Sequence, residues 1–242
     1  MATTAEARTE GLSPELRAKM VLALDVDDLV EAVRLARQLS PWFGVAKVGL
    51  ELYTAAGPDA VGTMLDNGFD VFLDLKLHDI PTTVGKAASV CGALGAKYLT
   101  MHARGGPEML KAGVDGLRLG ARNAGLEEPI AVAITVLTSD ADAPDHIVPH
   151  RLRVAVEAGC GGIVCSGRDL KDARELSPRT IRVVPGIRAA GADTHDQPNP
   201  VTPAQALADG ADLLVIGRAV TLADDPAAAA AELFESLDTE ST

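Results

Sequence analysis

Eight short apolar runs separated by helix-like segments predict a closed (β/α)8 barrel. Three observations carry that prediction. The runs recur along the whole chain, at 20–26, 45–49, 71–75, 98–102, 130–137, 162–165, 181–184 and 213–216. Strands alternating with helices build βαβ units and a parallel sheet, and eight units suffice to close it. The length is 242 residues, close to the ~250 usual for one such barrel. Finally, the chain is 47% apolar but only 3% aromatic, so its core must be built from Ala, Val, Leu and Ile. That composition suits parallel strands covered by Ala-rich helices. An open doubly wound sheet is the alternative, but no G-x-G-x-x-G follows the first run.

Taken in order, residues 1–18 are polar, without the apolar centre of a secretory leader. They read as a flexible lead-in to a single catalytic domain over 19–242. The first strand ends at Asp25. Segment 29–39 places Leu29, Val33, Ala36 and Leu39 on one helical face. The second strand, VAKVG at 45–49, carries Lys47 in its interior. The third runs into DLKLHDIPTT, with Asp74, Lys76 and Asp79 closing it before the turn at Pro81. Helical spacing continues at 84–94 and 109–119, with shorter segments at 151–158 and 203–208. His102 ends the fourth strand, and Thr135 and Thr138 flank the end of the fifth. Arg188 follows the seventh strand in PGIR, and Arg218 follows the eighth in IGR. The last helix, 226–237, starts with Asp225 as N-cap and Pro226 in its first turn. The loops richest in helix breakers, 138–149 and 189–203, both follow strands, on the side where barrel active sites form.

Bulk properties exclude several classes. A formal net charge of −12 argues against nucleic-acid binding, which relies on clustered Lys and Arg. A few local arginines can still hold a small phosphorylated ligand. No apolar run approaches the ~20 residues of a membrane span. The odd count of cysteines, Cys91, Cys160 and Cys165, has no ligand-like spacing and reads as small core residues of a cytoplasmic protein.

Nearly every strand thus delivers a polar group at its C-terminal end. In a strand, residues two apart point the same way, so Asp74 and Lys76 share a face, with Asp79 just beyond on a loop. Two carboxylates around one ammonium at the mouth of a buried strand are costly unless paired or used. A structural ion-pair cluster is the bland alternative. It would have to recur at several strand ends, whereas one polarised site at the top of a barrel explains them together. Gly217-Arg218 opens a short helical stretch, 219–222, where backbone N–H groups and a guanidinium can bind phosphate. Arg188 and the amide of Gln197 can complete that site. Of His78, His102, His146, His150 and His195, only His102 faces inward, as a hydrogen-bonded core residue rather than a base. The alternating signs of Lys47, Asp74, Lys76 and Asp79 suit a reaction in which an anion develops beside a fixed ammonium. A preorganised Lys can stabilise a carbanion and then protonate it.

At these residues the sequence resembles the orotidine 5′-phosphate decarboxylase family. The resemblance rests on LALDV (22–26), KVGLELY (47–53), FLDLKLHDIPTT (72–83), MHARGG (101–106), AITVLTS (133–139), VPGIR (184–188) and VIGRAVT (215–221), all in matching order and spacing. It implies decarboxylation of orotidine 5′-phosphate to uridine 5′-phosphate, the last step of de novo UMP synthesis, with no cofactor or metal. Lys76 would protonate carbon 6, and Asp74 would sit beside the substrate carboxylate. Asp25 and Lys47 would bind ribose hydroxyls, with Lys47 also in the charged network. Thr138 and Ser139 would contact the base. Arg188, Gln197, Gly217 and Arg218 would hold the phosphate and close the lid. Asp79, Ile80 and Thr83 would complete a partner's site in a homodimer. Thr82 replaces the family's usual Asn, and Pro198-Asn199-Pro200 replaces basic residues common after Gln197. The first change implies loss of one local contact, the second a different set of lid contacts to phosphate. Two rivals stand beside this reading. One is the Mg²⁺-dependent sugar-phosphate lyases that share D-x-K-x-x-D, whose motif continues D-A-G where this chain has Asp79-Ile80-Pro81. The other is a phosphate-ligand-binding barrel without catalysis.

Overall fold

The computed structural model describes residues 11–137, 146–189 and 201–238. Eight parallel strands form a closed barrel in sequence order. They are β1 (Met20–Leu24), β2 (Val45–Gly49), β3 (Asp70–Leu77), β4 (Tyr98–His102), β5 (Ile130–Ile134), β6 (Gly162–Val164), β7 (Ile181–Pro185) and β8 (Leu213–Ile216). β1 pairs with both β2 and β8, which closes the sheet. Every residue of β1 and β2 is buried. Strands covered on both faces show no alternation, hence the continuous apolar runs in the sequence.

Among the described residues, eleven α-helices accompany the barrel: α1 (Pro14–Arg17), α2 (Leu29–Leu39), α3 (Leu50–Ala56), α4 (Pro58–Asp66), α5 (Pro81–Ala93), α6 (Gly106–Asn123), α7 (Ile147–Glu157), α8 (Leu170–Leu176), α9 (Pro203–Ala208), α10 (Arg218–Thr221) and α11 (Pro226–Asp238). Leu12 is buried and its N–H donates to the Pro41 carbonyl at 3.0 Å. In α2 the buried face is Ala32, Leu35, Ala36 and Leu39. Leu29 and Val33 lie at its flank rather than at its centre, a rotation of the expected face. Asp28 caps this helix, accepting from the Glu31 N–H at 2.8 Å. Asp225 caps α11 as expected, accepting from the N–H groups of Ala227 and Ala228. Helices α1, α3, α4 and α8 were not foreseen. Between α3 and α4, Gly57 takes φ 60° and Pro58 opens the next helix, so the break hides two short periodic segments.

Helices α5 and α6 pack backbone to backbone. A Cβ at Gly92, Gly116 or Gly120 would run into the carbonyl of Leu117, Gly85 or Ser89, respectively. Close approach, not turn geometry, requires glycine there. This contact fixes α5, whose first turn follows the Asp79 loop.

Two apolar layers result. One lies between barrel and helices. The other fills the barrel with Val21, Val45, Phe72, Tyr98, Val132, Val183 and Leu213. Phe72 and Tyr98 stack with ring centroids 5.7 Å apart. The barrel is therefore plugged below, and a ligand can enter only from the C-terminal ends of the strands. All three cysteines are buried and unpaired, and burial pushes Cys91 up to about 11 and Cys160 and Cys165 up to about 12. They are core residues, as their spacing suggested. Among the described residues, no helix is long and apolar enough to cross a membrane.

Candidate active site

Strand parity decides which side chains enter the barrel mouth. Lys47 is two residues beyond the inward Val45, and Ala23 two beyond the inward Val21. Asp74 stands two beyond Phe72 and pairs in register with Gly49. These residues line one wall of a cavity above the apolar plug. Asp25 and Lys76 extend that wall. Phe72, Ile134, Val164, Val183 and Val215 also line the cavity, as do Arg188 after β7 and Gly217 and Arg218 after β8, the strand that pairs with β1.

The charged wall is a row of alternating sign. Lys47 Nζ donates to Asp25 Oδ1 at 2.7 Å and stands 3.9 Å from Asp74 Oδ2. Lys76 Nζ donates to the same Asp74 Oδ2 at 2.8 Å. The local sequence suggested two carboxylates around one ammonium. Within one chain the arrangement is the reverse, with Asp74 between two ammoniums. Asp74 and Lys47 are deeply buried, with side chains 12% and 10% exposed, whereas Lys76 is 33% exposed. Both ammoniums line the cavity, and Lys76 is the more exposed of the two. Lys47 is held by Asp25 on its far side. Gly49 leaves room for that pair: a Cβ there would approach Lys47 Nζ and Asp25 Oδ1 to 3.0 and 3.1 Å.

Lys76 reaches Asp74 by a route that strand alternation does not supply. β3 pairs with β4 at Leu73↔Leu99 and then at Leu77↔Met101, so four steps on β3 match two on β4. This bulge puts Lys76 at φ 50°, the only described non-glycine residue in the left-handed region. Such a backbone costs of order 1 kcal/mol or more and persists only where neighbours hold it. Thr100, fully buried on β4, is the neighbour. Its Oγ1 accepts from the Lys76 N–H at 2.8 Å and donates to Asp74 Oδ1 at 2.9 Å. The sequence reading missed Thr100, although its parity with Tyr98 and His102 marks it as inward-facing.

Arg188 is buried and lines the cavity, and its N–H donates to the Val201 carbonyl at 3.1 Å. Gly217 precedes α10, which is a single turn. A helix so short brings little dipole, so the charge there rests with the arginines. Thr135, expected to flank the fifth strand, is buried just past β5 and donates to the Val164 carbonyl at 2.8 Å. Arg151 on α7 donates to the Thr135 carbonyl at 2.6 Å, a support not foreseen from the sequence.

Asp79, Ile80 and Thr83 are exposed and line no part of this cavity. Asp79 Oδ1 accepts from the Ile80 N–H at 2.6 Å, and the Ile80 side chain is open to solvent. Thr138, Ser139 and Gln197 lie outside the described residues. Among the described residues, no group of three His, Cys, Asp or Glu side chains is placed to hold a metal ion.

His102 is half-buried beside the site, its ring 5.5 Å from that of His78. Burial pulls its pKa below the ordinary value; His78, Lys76 and Arg151 add to that effect and Asp74 opposes it. The folded chain therefore binds this proton less readily than the unfolded chain. The neutral ring contributes stability above the ordinary histidine value of 6.5, and that contribution is lost as pH falls through the lowered folded value. Melting temperature should drop more steeply in the wild type than in His102→Asn between about pH 7 and about pH 5.5. Parallel profiles would remove His102 as a source of acid sensitivity.

Comparison with known proteins finds relatives over most of the chain. A model of the "Orotidine 5′-phosphate decarboxylase / HUMPS family" matches residues 18–233. Orotidine 5′-phosphate decarboxylase of Moorella thermoacetica is 43% identical over 232 residues, covering 91% of this chain and 92% of the relative. The enzyme of that name from Anaeromyxobacter sp. strain K is 45% identical over 230 residues, covering 90% and 98%. Among solved structures, orotidine 5′-phosphate decarboxylase from Lactobacillus acidophilus superimposes with a TM-score of 0.78 at 33% identity, covering 90% of this chain and 98% of that one. An uncharacterized conserved protein from Geobacillus kaustophilus superimposes with a TM-score of 0.74, also at 33% identity.

Proposed function

The chain belongs to the orotidine 5′-phosphate decarboxylase / HUMPS family, and from that premise we propose that it converts orotidine 5′-phosphate to uridine 5′-phosphate and carbon dioxide. It would thereby serve as a cytoplasmic carboxy-lyase of UMP synthesis. The observation that carries this reading is the Lys76–Asp74 pair, 2.8 Å apart, set in a cavity that Arg188 and Arg218 also line. The curated relatives bearing the decarboxylase name favour it over the sugar-phosphate lyase alternative.

In this mechanism the substrate carboxylate lies beside Asp74. The bond from carbon 6 to the carboxylate breaks, its electron pair stays on carbon 6, and carbon dioxide leaves. The Lys76 ammonium stabilises that developing anion and then gives it a proton, leaving a neutral amine that solvent reprotonates. Asp25 and Lys47 take the ribose hydroxyls. Arg188, Gly217 and Arg218 hold the phosphate with Gln197, and Thr138 and Ser139 contact the base. The exposure of Asp79, Ile80 and Thr83 supports their completing the site of a second copy in a homodimer. No metal or cofactor enters a step.

The test is a spectrophotometric assay of purified protein with orotidine 5′-phosphate, with and without EDTA. The expected result is loss of substrate absorbance, formation of uridine 5′-phosphate and no effect of chelator. Absence of turnover by well-folded protein would overturn the function. Loss of activity in EDTA, restored by Mg²⁺, would overturn its metal-free form.

A further inference from the structure

We propose that Thr100 is a positioning residue for this reaction, holding Lys76 and Asp74 in the geometry that proton transfer requires. The inference rests on the decarboxylase reading and deepens it. Thr100 lies on β4 between Leu99 and Met101, the two residues that bracket the β3 bulge. At a bulge the ladder is interrupted, and the extra residues need other partners. The Thr100 hydroxyl supplies one.

Its two hydrogen bonds close a ring. The Lys76 N–H donates to Thr100 Oγ1, Thr100 Oγ1 donates to Asp74 Oδ1, and Lys76 Nζ donates to Asp74 Oδ2. One hydroxyl thus fixes both ends of the catalytic pair. It holds the left-handed backbone from which the Lys76 side chain starts. It also fixes the carboxylate rotamer, so that Oδ2 faces the ammoniums and Oδ1 does not. Thr100 is 0% exposed, and water cannot take over either bond without entering the core. Thr100 joins the strained backbone of the proton donor to the carboxylate that orients it.

The experiment compares Thr100→Val, which keeps the shape and removes the hydroxyl, with Thr100→Ser, which keeps the hydroxyl. Misplacement of a reacting group by about 1 Å can cost on the order of 100-fold in rate. For Thr100→Val, kcat should therefore fall about 10- to 100-fold with KM for orotidine 5′-phosphate changed less than about threefold, while Thr100→Ser stays within about threefold of wild type. A crystal structure of Thr100→Val should show Lys76 out of the left-handed region or its ammonium withdrawn from Asp74. Should the valine variant not fold, Thr100→Ala takes its place in both measurements. An unchanged kcat, a loss confined to KM, or a serine variant as impaired as the valine one would overturn the assignment. Lys76 and Asp74 unmoved in the crystal would overturn it as well, whatever the kinetics. Failure of the decarboxylase reading is seen separately, as no turnover by the wild type, and the crystal structure judges Thr100 even then.

Discussion

Lys76→Ala should lose turnover by on the order of 10⁴-fold, the upper end of what a positioned acid supplies, while uridine 5′-phosphate still binds. The expectation follows from how the two ammoniums differ. Both approach Asp74, but Lys47 is 10% exposed and donates to Asp25, whereas Lys76 is 33% exposed and faces the cavity. A proton donor must reach the substrate, and Lys47, which lines the same cavity, is the more buried and is held by Asp25. Truncating Lys76 does not strand Asp74 as an unpaired buried charge, which would threaten folding. Lys47 remains 3.9 Å from one oxygen and the Thr100 hydroxyl 2.9 Å from the other. Arg188, Arg218 and Asp25, which the mechanism assigns to phosphate and ribose, are untouched. Catalysis and binding should therefore separate cleanly, with single-turnover kinetics reporting the first and calorimetric titration of the product the second. A variant that keeps kcat within about tenfold of wild type would transfer the acid role away from Lys76.

Asp79→Ala should also be severely impaired, and its defect should be repairable by an equally inactive partner. Asp79 is exposed and absent from the cavity lining of its own chain, on a loop with the exposed Ile80. An exposed carboxylate side chain beside an exposed isoleucine on such a loop is placed to enter a second copy. If so, mixing Lys76→Ala with Asp79→Ala produces heterodimers in which one site lacks both groups and the other has both. Random exchange in a two-fold dimer makes half the dimers mixed, so about a quarter of wild-type activity should return. Mass spectrometry would confirm exchange. Full exchange with no recovered activity would place Asp79 in the site of its own chain.

Most of this barrel could be read before any coordinates because its strands are buried on both faces. Runs such as 45–49, 98–102 and 213–216 coincide with strands residue for residue. Runs overreached where a polar side chain ends the ladder. The expected strand to residue 137 stops at Ile134, because Thr135 turns its hydroxyl onto the Val164 carbonyl. Helices α3 and α4 escaped because Gly57-Pro58 interrupts a period that either helix alone is too short to display. At the site, residue types and order were legible, including Lys47 inside its strand and both arginines. The Lys76 backbone was not. Two residues apart on a regular strand implies a shared face, and the pair does meet, but through a bulge that no side-chain pattern announces. Thr100 escaped for the same reason, since its importance arises only from what the bulge leaves unpaired.

The seam between β1 and β8 has a consequence for the order in which the molecule is made. Asp25 follows the first strand and Gly217 the last, yet a Cβ on Gly217 would meet the Ala23 side chain at 3.3 Å and Asp25 Oδ2 at 4.0 Å. The ribose end and the phosphate end of the proposed site come from opposite ends of the chain. No growing polypeptide possesses the pocket until its final strand has been synthesised and docked. Contacts so distant in sequence form slowly, because the entropy of closing the loop must be met first. A nucleotide in the finished cavity bridges that seam. Its binding energy adds to the free energy of that closure, so ligand protection should reach the two termini of the barrel as well as the middle strands that line the cavity.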